Sequence, residues 1–190
     1  GFVFLRFLPG PQPSVAEWLK PYSTDFADYR AEELLSVKTP DWQSELPVNW
    51  KSVRDVDNEG YHVAMAHPAL QDLYGRTYRD LDYPGGLNMS DGQFGDQPGR
   101  RWSVKAYVKL APKQDWLPDR LRQSWTYYGV FPNAVIAFTP ESAQFYQEIP
   151  LSPGRTIVTG KLYRRANEDR QTRIARYPAY RIDRETSKAD

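Results

Sequence analysis

"NAVIAFTPESAQFYQEIPLSPGRTIVTGKLY", residues 133–163, decides the fold class of this 190-residue chain. Three runs rich in β-branched and aromatic residues, Asn133–Phe138, Ala143–Ile149 and Thr156–Tyr163, are separated by the turn sequences TPES and PLSPGR. Consecutive strands with connections this short pair antiparallel, so the region is predicted to be a meander. Just upstream, "WSVKAYVKL", residues 102–110, sets Val104, Ala106, Val108 and Leu110 opposite Lys105, Tyr107 and Lys109. That alternation predicts a further strand with one buried face. "DWLPDRLRQSWTYY" reads as a helix containing a proline, and from Ala166 onward the polar, charged sequence predicts a surface helix or extended tail.

The N-terminal half is less regular. "GFVFLRFLPG" begins at Gly1 without a basic leader, and Phe2–Phe7 predicts a strand cut from a longer sequence, so upstream sequence is expected. Ser14 is placed to cap a short helix through Val15, Trp18 and Leu19. A strand is expected over Glu33–Val37, then a loop over "KTPDWQSELP". Residues 49–74 read as helical with an interruption, because Pro68 bars a smooth continuation. Proline in a first turn and Gly75 at the end frame a short second helix. Residues 84–100, beginning PGGLNMSDG, lack the spacing of a phosphate cradle and read as a glycine-rich surface loop or lid.

Composition excludes several function classes. Lys and Arg number 25 against 24 Asp and Glu, which leaves no electrostatic footprint for nucleic acid or an anionic membrane. With no cysteine, disulfides, thiolate catalysis and cysteine-ligated clusters are excluded from this chain, and a cytoplasmic location is expected. Six Trp and thirteen Tyr suit a walled apolar pocket or a packed β-rich core equally.

The two histidines, His62 and His67, both fall in "NEGYHVAMAHP", residues 58–68. Asp55, Asp57, Glu59 and Gly60 occupy the first, third, fifth and sixth places of a calcium loop, but Ala66 stands where the bidentate glutamate belongs. A zinc-protease helix requires histidines four apart with a glutamate after the first; here they are five apart and Val63 follows His62. Five residues of regular helix turn about 140° past a full circle, so the rings diverge unless the helix breaks between them. A helix that stops after His62 and a turn presenting His67 would aim both at one ion. With one distant carboxylate this is the facial triad of non-haem Fe(II) oxygenases. Glu59, three residues earlier on the same helical face, is placed to hold the free ring nitrogen of His62. The competing reading makes His62 a satisfied core histidine, His67 a neighbour of a helix cap and Glu59 a solvated residue.

"NWKSVRDVDNEGYHVAMAHPALQDLYG", residues 49–75, resembles the catalytic-domain signature of the Rieske non-haem iron oxygenases, the aromatic-ring-hydroxylating dioxygenase alpha-subunit family. There Asn-Trp-Lys precedes an acidic residue, Tyr-His, four intervening residues and His-Pro. The resemblance implies that His62 and His67 are the metal ligands of a mononuclear Fe(II). It implies that Glu59 is the bridging carboxylate through which an electron arrives from the Rieske cluster of a neighbouring subunit in a homotrimer. Asp55 is the second catalytic candidate in the segment. Such proteins carry the two-iron, two-sulfur cluster in an N-terminal domain, on two cysteines and two histidines. Lacking those cysteines, residues 1–190 resemble the catalytic domain alone, and an incomplete one, with the likeness running from Gly1 to about Tyr163. The family's third ligand is an aspartate on a late helix; Asp190 or an aspartate beyond the chain's end is expected to supply it. An asparagine often found six residues before the first histidine is Val56 here.

The fold implied is α+β, an antiparallel sheet curved around a C-terminal helix that is expected to lie largely downstream, a helix-grip, START-like arrangement with residues 49–74 over the pocket mouth. The function implied is a terminal oxygenase, mono- or dioxygenase, that hydroxylates a small organic substrate with O2 and electrons from a reductase or ferredoxin. The nearest branch resembled oxidatively demethylates quaternary ammonium compounds such as stachydrine. Trp102, Tyr107, Tyr127, Tyr128, Phe131 and Phe138 are candidates for a cation box and equally for core. The alternative is a non-catalytic helix-grip ligand-binding domain.

Overall fold

The meander is the spine of one antiparallel sheet in a computed structural model that describes residues 3–5, 7–37, 41–96, 99–111 and 114–186. Its strands are β1 (Leu34–Ser36), β2 (Trp42–Leu46), β3 (Arg79–Tyr83), β4 (Leu87–Gln93), β5 (Ser124–Val130), β6 (Ala134–Phe138), β7 (Ala143–Ser152) and β8 (Arg155–Arg165). They lie in the order β1-β8-β7-β6-β5-β4-β3, and β2 joins the same edge as β1 by pairing with β8. The helices are α1 (Val15–Trp18), α2 (Lys20–Tyr29), α3 (Trp50–Asp57), α4 (Val63–Ala66), α5 (Pro68–Tyr74), α6 (Trp102–Leu110), α7 (Asp119–Arg122) and α8 (Arg170–Thr186). The expected α+β fold is present, and the strands expected over residues 133–163 are β6, β7 and β8.

Both faces of the sheet are covered. On the inner face Trp125 of β5 packs with Val63, Leu70, Leu73, Tyr74, Val104, Tyr107 and Ile182, which come from α4, α5, α6 and α8. On the outer face Tyr128, Leu87, Met89 and Phe138 pack against Tyr22 and Tyr29 of α2 and Leu117 and Leu121 near α7. Each large side chain buried in this way contributes roughly 1.5–3 kcal/mol. Polar tips fix α2 in register: the Tyr22 hydroxyl lies 2.7 Å from the carbonyls of both Asn88 and Gly129, and that of Tyr29 lies 2.6 Å from the carbonyl of Thr139. Among the described residues no helix is long and apolar enough to cross a membrane.

Five expectations are overturned. Residues 102–110 form helix α6, not a strand, with Ser103, Val104, Tyr107 and Ala111 buried at helical spacing while Val108 is exposed. The glycine-rich stretch is not a loop throughout: Gly85 and Gly86 take positive φ of 82° and 76° at a hairpin turn, and β4 then lies between β3 and β5 with Leu87, Met89, Ser90 and Asp91 buried, while residues 97 and 98 lie outside the described ones. The loop expected over "KTPDWQSELP" contains β2, although residues 38–40 lie outside the described ones. The proline-containing helix shrinks to the four residues of α7, and "SWTYY" opens β5. The N-terminal strand is irregular chain over residues 3–5, with Val3, Leu5 and Phe7 exposed; Phe2 and Arg6 lie outside the described residues. Ser14 does cap α1, in a reciprocal capping box with Glu17. The charged C-terminal segment is a helix of 17 residues whose Ala175, Ala179 and Ile182 are buried.

One buried chain of hydrogen bonds joins α6 to the sheet. Trp125 Nε1 donates to the Tyr107 hydroxyl over 2.7 Å, and that hydroxyl donates to Glu141 Oε2 over 2.6 Å. Burial pushes the Glu141 carboxyl up from 4.5 to about 7. Because the folded value is the higher one, the stabilisation belongs to the protonated acid: it is whole below pH 4.5 and is lost as pH rises through about 7. Glu141→Gln should therefore flatten this part of the pH dependence. In urea titrations at pH 5 and pH 8, the parent is expected to lose on the order of 2–3 kcal/mol more than the variant between the two conditions. An equal loss in both proteins would contradict this assignment.

Candidate metal centre

Two interruptions of one helical run build the site. Asn49 caps α3 by accepting from the Lys51 amide at 3.0 Å, and its own amide donates to the Pro153 carbonyl at 2.8 Å, which pins the start of α3 to the β7–β8 turn. The helix ends at Asn58, and the turn that follows is held from β3, where Asp80 accepts from the Gly60 amide at 2.8 Å. His62 then opens the single turn of α4, His67 closes it with φ −119° and ψ 68°, and Pro68 starts α5 in a new direction. Proline at the first helical position gives up an amide that had no partner there, so the break costs little.

The break brings the rings together. The His62 and His67 ring centres lie 4.8 Å apart, with planes at 85°. His62 Nδ1 sits 2.5 Å from Glu59 Oε1, and the His62 amide donates to Glu59 Oε2 over 3.3 Å. With Nδ1 engaged, Nε2 is the nitrogen of His62 left for a metal. An ion about 2.1 Å from each coordinating nitrogen lies roughly 3.2 Å from each ring centre. Rings separated by 4.8 Å then meet it at roughly a right angle, the angle of adjacent positions in a facial set. The pair thus fits a metal ion. His67 is buried at 2% exposure, whereas Tyr61 and Met65 beside the pair are 86% and 89% exposed, so the site has an inner and an outer side.

Among the described residues no three His, Cys, Asp or Glu side chains are arranged to hold an ion. Asp190, the expected third ligand, lies outside the described residues. Sequence reasoning passed over Asp183. It is carried by α8, next to Ile182, which belongs to the same inner cluster as Val63. Loss of hydration among the protein atoms around it pushes the Asp183 carboxyl up to about 6, although the residue keeps exposed surface, and its charge is felt at Tyr127 on the inner face of β5. A signal for it existed: Ala175, Ala179 and Asp183 repeat every four residues, which places the aspartate in line with two buried alanines.

Asp55 is not brought to the histidines. It is exposed on the outer side of α3, while Asp57, two residues on, faces inward. Burial and the nearby Glu148 carboxylate raise Asp57 to about 7, and burial raises Glu148 as well. Arg54 answers them, with Nη1 3.9 Å from Glu148 Oε1 and Nη2 donating to Asn88 Oδ1 over 2.6 Å. Gly129 makes room for that arginine, since a Cβ there would overlap both Arg54 Nη2 and Asn88 Oδ1. The cation box is dispersed. Tyr128 and Phe138 belong to the outer face, where Phe138 stacks on Tyr29 at 4.0 Å, and Trp102 and Phe131 are exposed. Tyr107 is committed to Glu141, which leaves Tyr127, half-buried on the inner face, as the one of the six still available.

If Glu59 orients His62, Glu59→Ala should lower the affinity for Co(II), a spectroscopic substitute for Fe(II), by roughly 10–100-fold. An absorption titration with the intact protein checks this, and unchanged affinity would make the contact incidental.

Residues 32–190 match the family described as the ring hydroxylating alpha subunit, catalytic domain. No curated protein matches the chain. Among solved structures, the quaternary ammonium Rieske monooxygenase CntA in complex with an inhibitor has a TM-score of 0.64 and 15% identity, covering 92% of this chain and 44% of that one. The same monooxygenase in complex with its substrate L-carnitine has a TM-score of 0.59 at 16% identity, covering 93% and 44%. Naphthalene 1,2-dioxygenase from Rhodococcus sp. bound to indole has a TM-score of 0.56 at 13% identity, covering 89% and 48%. At such identities the likeness is one of fold, and the chain spans less than half the length of these structures.

Proposed function

The chain belongs to the ring hydroxylating alpha-subunit family, whose catalytic domain its residues 32–190 match, and from that premise we propose that it is the mononuclear-iron domain of an oxygenase. The observation that carries the reading is the imidazole pair at 4.8 Å with Glu59 fastened to His62. His62 and His67 would hold Fe(II), and Asp183, on α8 beside the buried Ile182, is the candidate for the third ligand. When bound, the iron supplies the oxygen chemistry that hydroxylates a C–H bond or, at an N-methyl group, leads to demethylation.

The protein's own groups do the rest. Glu59 holds Nδ1 of His62, fixes the ring's orientation and links it to the surface. Around that point Tyr61 and Met65 present exposed apolar area, which suits docking of the cluster-bearing domain of a neighbouring subunit in a homotrimer. A two-iron, two-sulfur Rieske cluster would be carried by another domain, since this chain has no cysteine to bind it. The inner face of the sheet, where Tyr127 and Tyr146 are half-buried, would wall the substrate space. Electrons would come from a reductase or ferredoxin, and the location would be cytoplasmic. A quaternary ammonium compound is the substrate class supported by the branch resembled and by the fold shared with CntA.

Iron and acid-labile sulfide per chain of the full-length protein test the reading. About three irons and two sulfides are expected, falling to about two irons with sulfide unchanged in His62→Ala. A variant that kept all of its iron would remove His62 from the site. No iron after anaerobic reconstitution would replace the oxygenase with a ligand-binding domain.

A further inference from the structure

Between Glu59 and His62 stands Gly60, the residue type with the most backbone freedom to lose, so their contact is only as firm as that glycine. Its backbone is engaged on three sides. The amide donates to Asp80 Oδ2 over 2.8 Å, and the carbonyl accepts from the Val63 amide of α4 at 3.1 Å. The Tyr78 ring lies so close to the α-carbon that a Cβ there would overlap it. The second oxygen of Asp80 is engaged as well. Ser90, which is 1% exposed and directly opposite Asp80 in the β3–β4 ladder, donates its hydroxyl to Oδ1 over 2.8 Å. The Tyr78 hydroxyl joins the same group, with hydrogen bonds to Ser90 and Asp80. One carboxylate thus spans the gap between a buried hydroxyl of the sheet and the turn that carries Glu59.

An aspartate on β3 has a simpler use, because β3 ends the strand order and charges on an outermost strand discourage pairing with another chain. A guard of that kind needs no partner, whereas Asp80 has one for each oxygen. Nor is the bond needed to hold the fold together: Asp80 is exposed, and a hydrogen bond within reach of water adds little to stability. Its effect is on direction. With Gly60 released, Glu59 and His62 could turn relative to each other, and the ring would lose the acceptor that selects which of its nitrogens carries the proton.

We propose that Asp80, seated by Ser90 and Tyr78, is a positioning residue for the centre: through Gly60 it keeps Glu59 where it orients His62. In its bearing on a metal this rests on the oxygenase reading; in its bearing on the His62 ring it does not.

Two readouts on the intact protein test it. The first, without metal, is the pair of ring-nitrogen chemical shifts of His62, read through its carbon-bound protons and assigned by their absence in His62→Gln. The parent should show the proton fixed on Nδ1, and Asp80→Ala should give a mixture of both tautomers, as Glu59→Ala does. Asp80→Asn, which keeps an oxygen for the Gly60 amide, should restore the parent pattern. Ser90→Ala, which removes only the seat of Oδ1, should shift it in the same direction by less. The second readout is Co(II) affinity, which Asp80→Ala should lower by roughly tenfold. In a Glu59→Ala background the same substitution should change nothing further, because its effect passes through Glu59. A single tautomer retained in Asp80→Ala, an asparagine as damaging as alanine, or an equal loss of affinity with and without Glu59 would overturn the proposal. A merely structural aspartate would lower the thermal midpoint and leave both readouts as they were. The tautomer result without any Co(II) binding removes the metal and keeps the role of Asp80; Co(II) binding indifferent to Asp80 does the reverse.

Discussion

Proline cannot occupy a helix interior without losing a hydrogen bond and meeting the carbonyl four residues back, and Pro68 imposes that constraint between α4 and α5. Had the helical run continued, residues five apart would point in directions about 140° apart. The break turns that spacing into two rings at 85° with centres 4.8 Å apart. A second break, after Asn58, sets Glu59 close enough for both of its oxygens to engage His62. The second break and the helix before it are fixed by the sheet: Asp80 holds the Gly60 amide, and Asn49 ties the start of α3 to the β7–β8 turn.

The pieces legible in the sequence are those whose physics is local. The meander announced itself by turn residues between β-branched runs, and the histidine segment by spacing, a carboxylate three residues away and a proline. Where both faces of a strand are buried, period-two alternation disappears, which is why β4 and the start of β5 passed for loop and helix. In α6 the apolar residues satisfy two periods at once, because Val104 and Val108 fit a strand while Val104, Tyr107 and Ala111 fit a helix; burial decides for the second. Asp183 was legible only as a position in line with Ala175 and Ala179, and the Arg54–Asp57–Glu148 group depends on contacts between distant parts of the chain, which no local pattern reports. Six aromatics chosen by type alone fell on both sides of the sheet.

The buried polar groups divide by how well they are satisfied. The Trp125–Tyr107–Glu141 chain is complete, each hydroxyl and ring nitrogen finding its partner, and it serves to seat α6 on the sheet. Around Asp57 and Glu148 the acceptors outnumber the donors, and the same low-polarity surroundings that strengthen the first network make the second expensive.

The Tyr22 hydroxyl gives the two sides of the sheet a mechanical connection. From α2 on the outside it grips the carbonyls of Asn88 and Gly129. On the inside, the side chain of Asn88 grips Arg54, and the missing side chain of Gly129 leaves the space that arginine fills. One hydroxyl and one guanidinium therefore clamp the same two residues from opposite sides, like two halves of a rivet. The seat of Arg54 is thus braced from α2 on the outside as well as from the inner face.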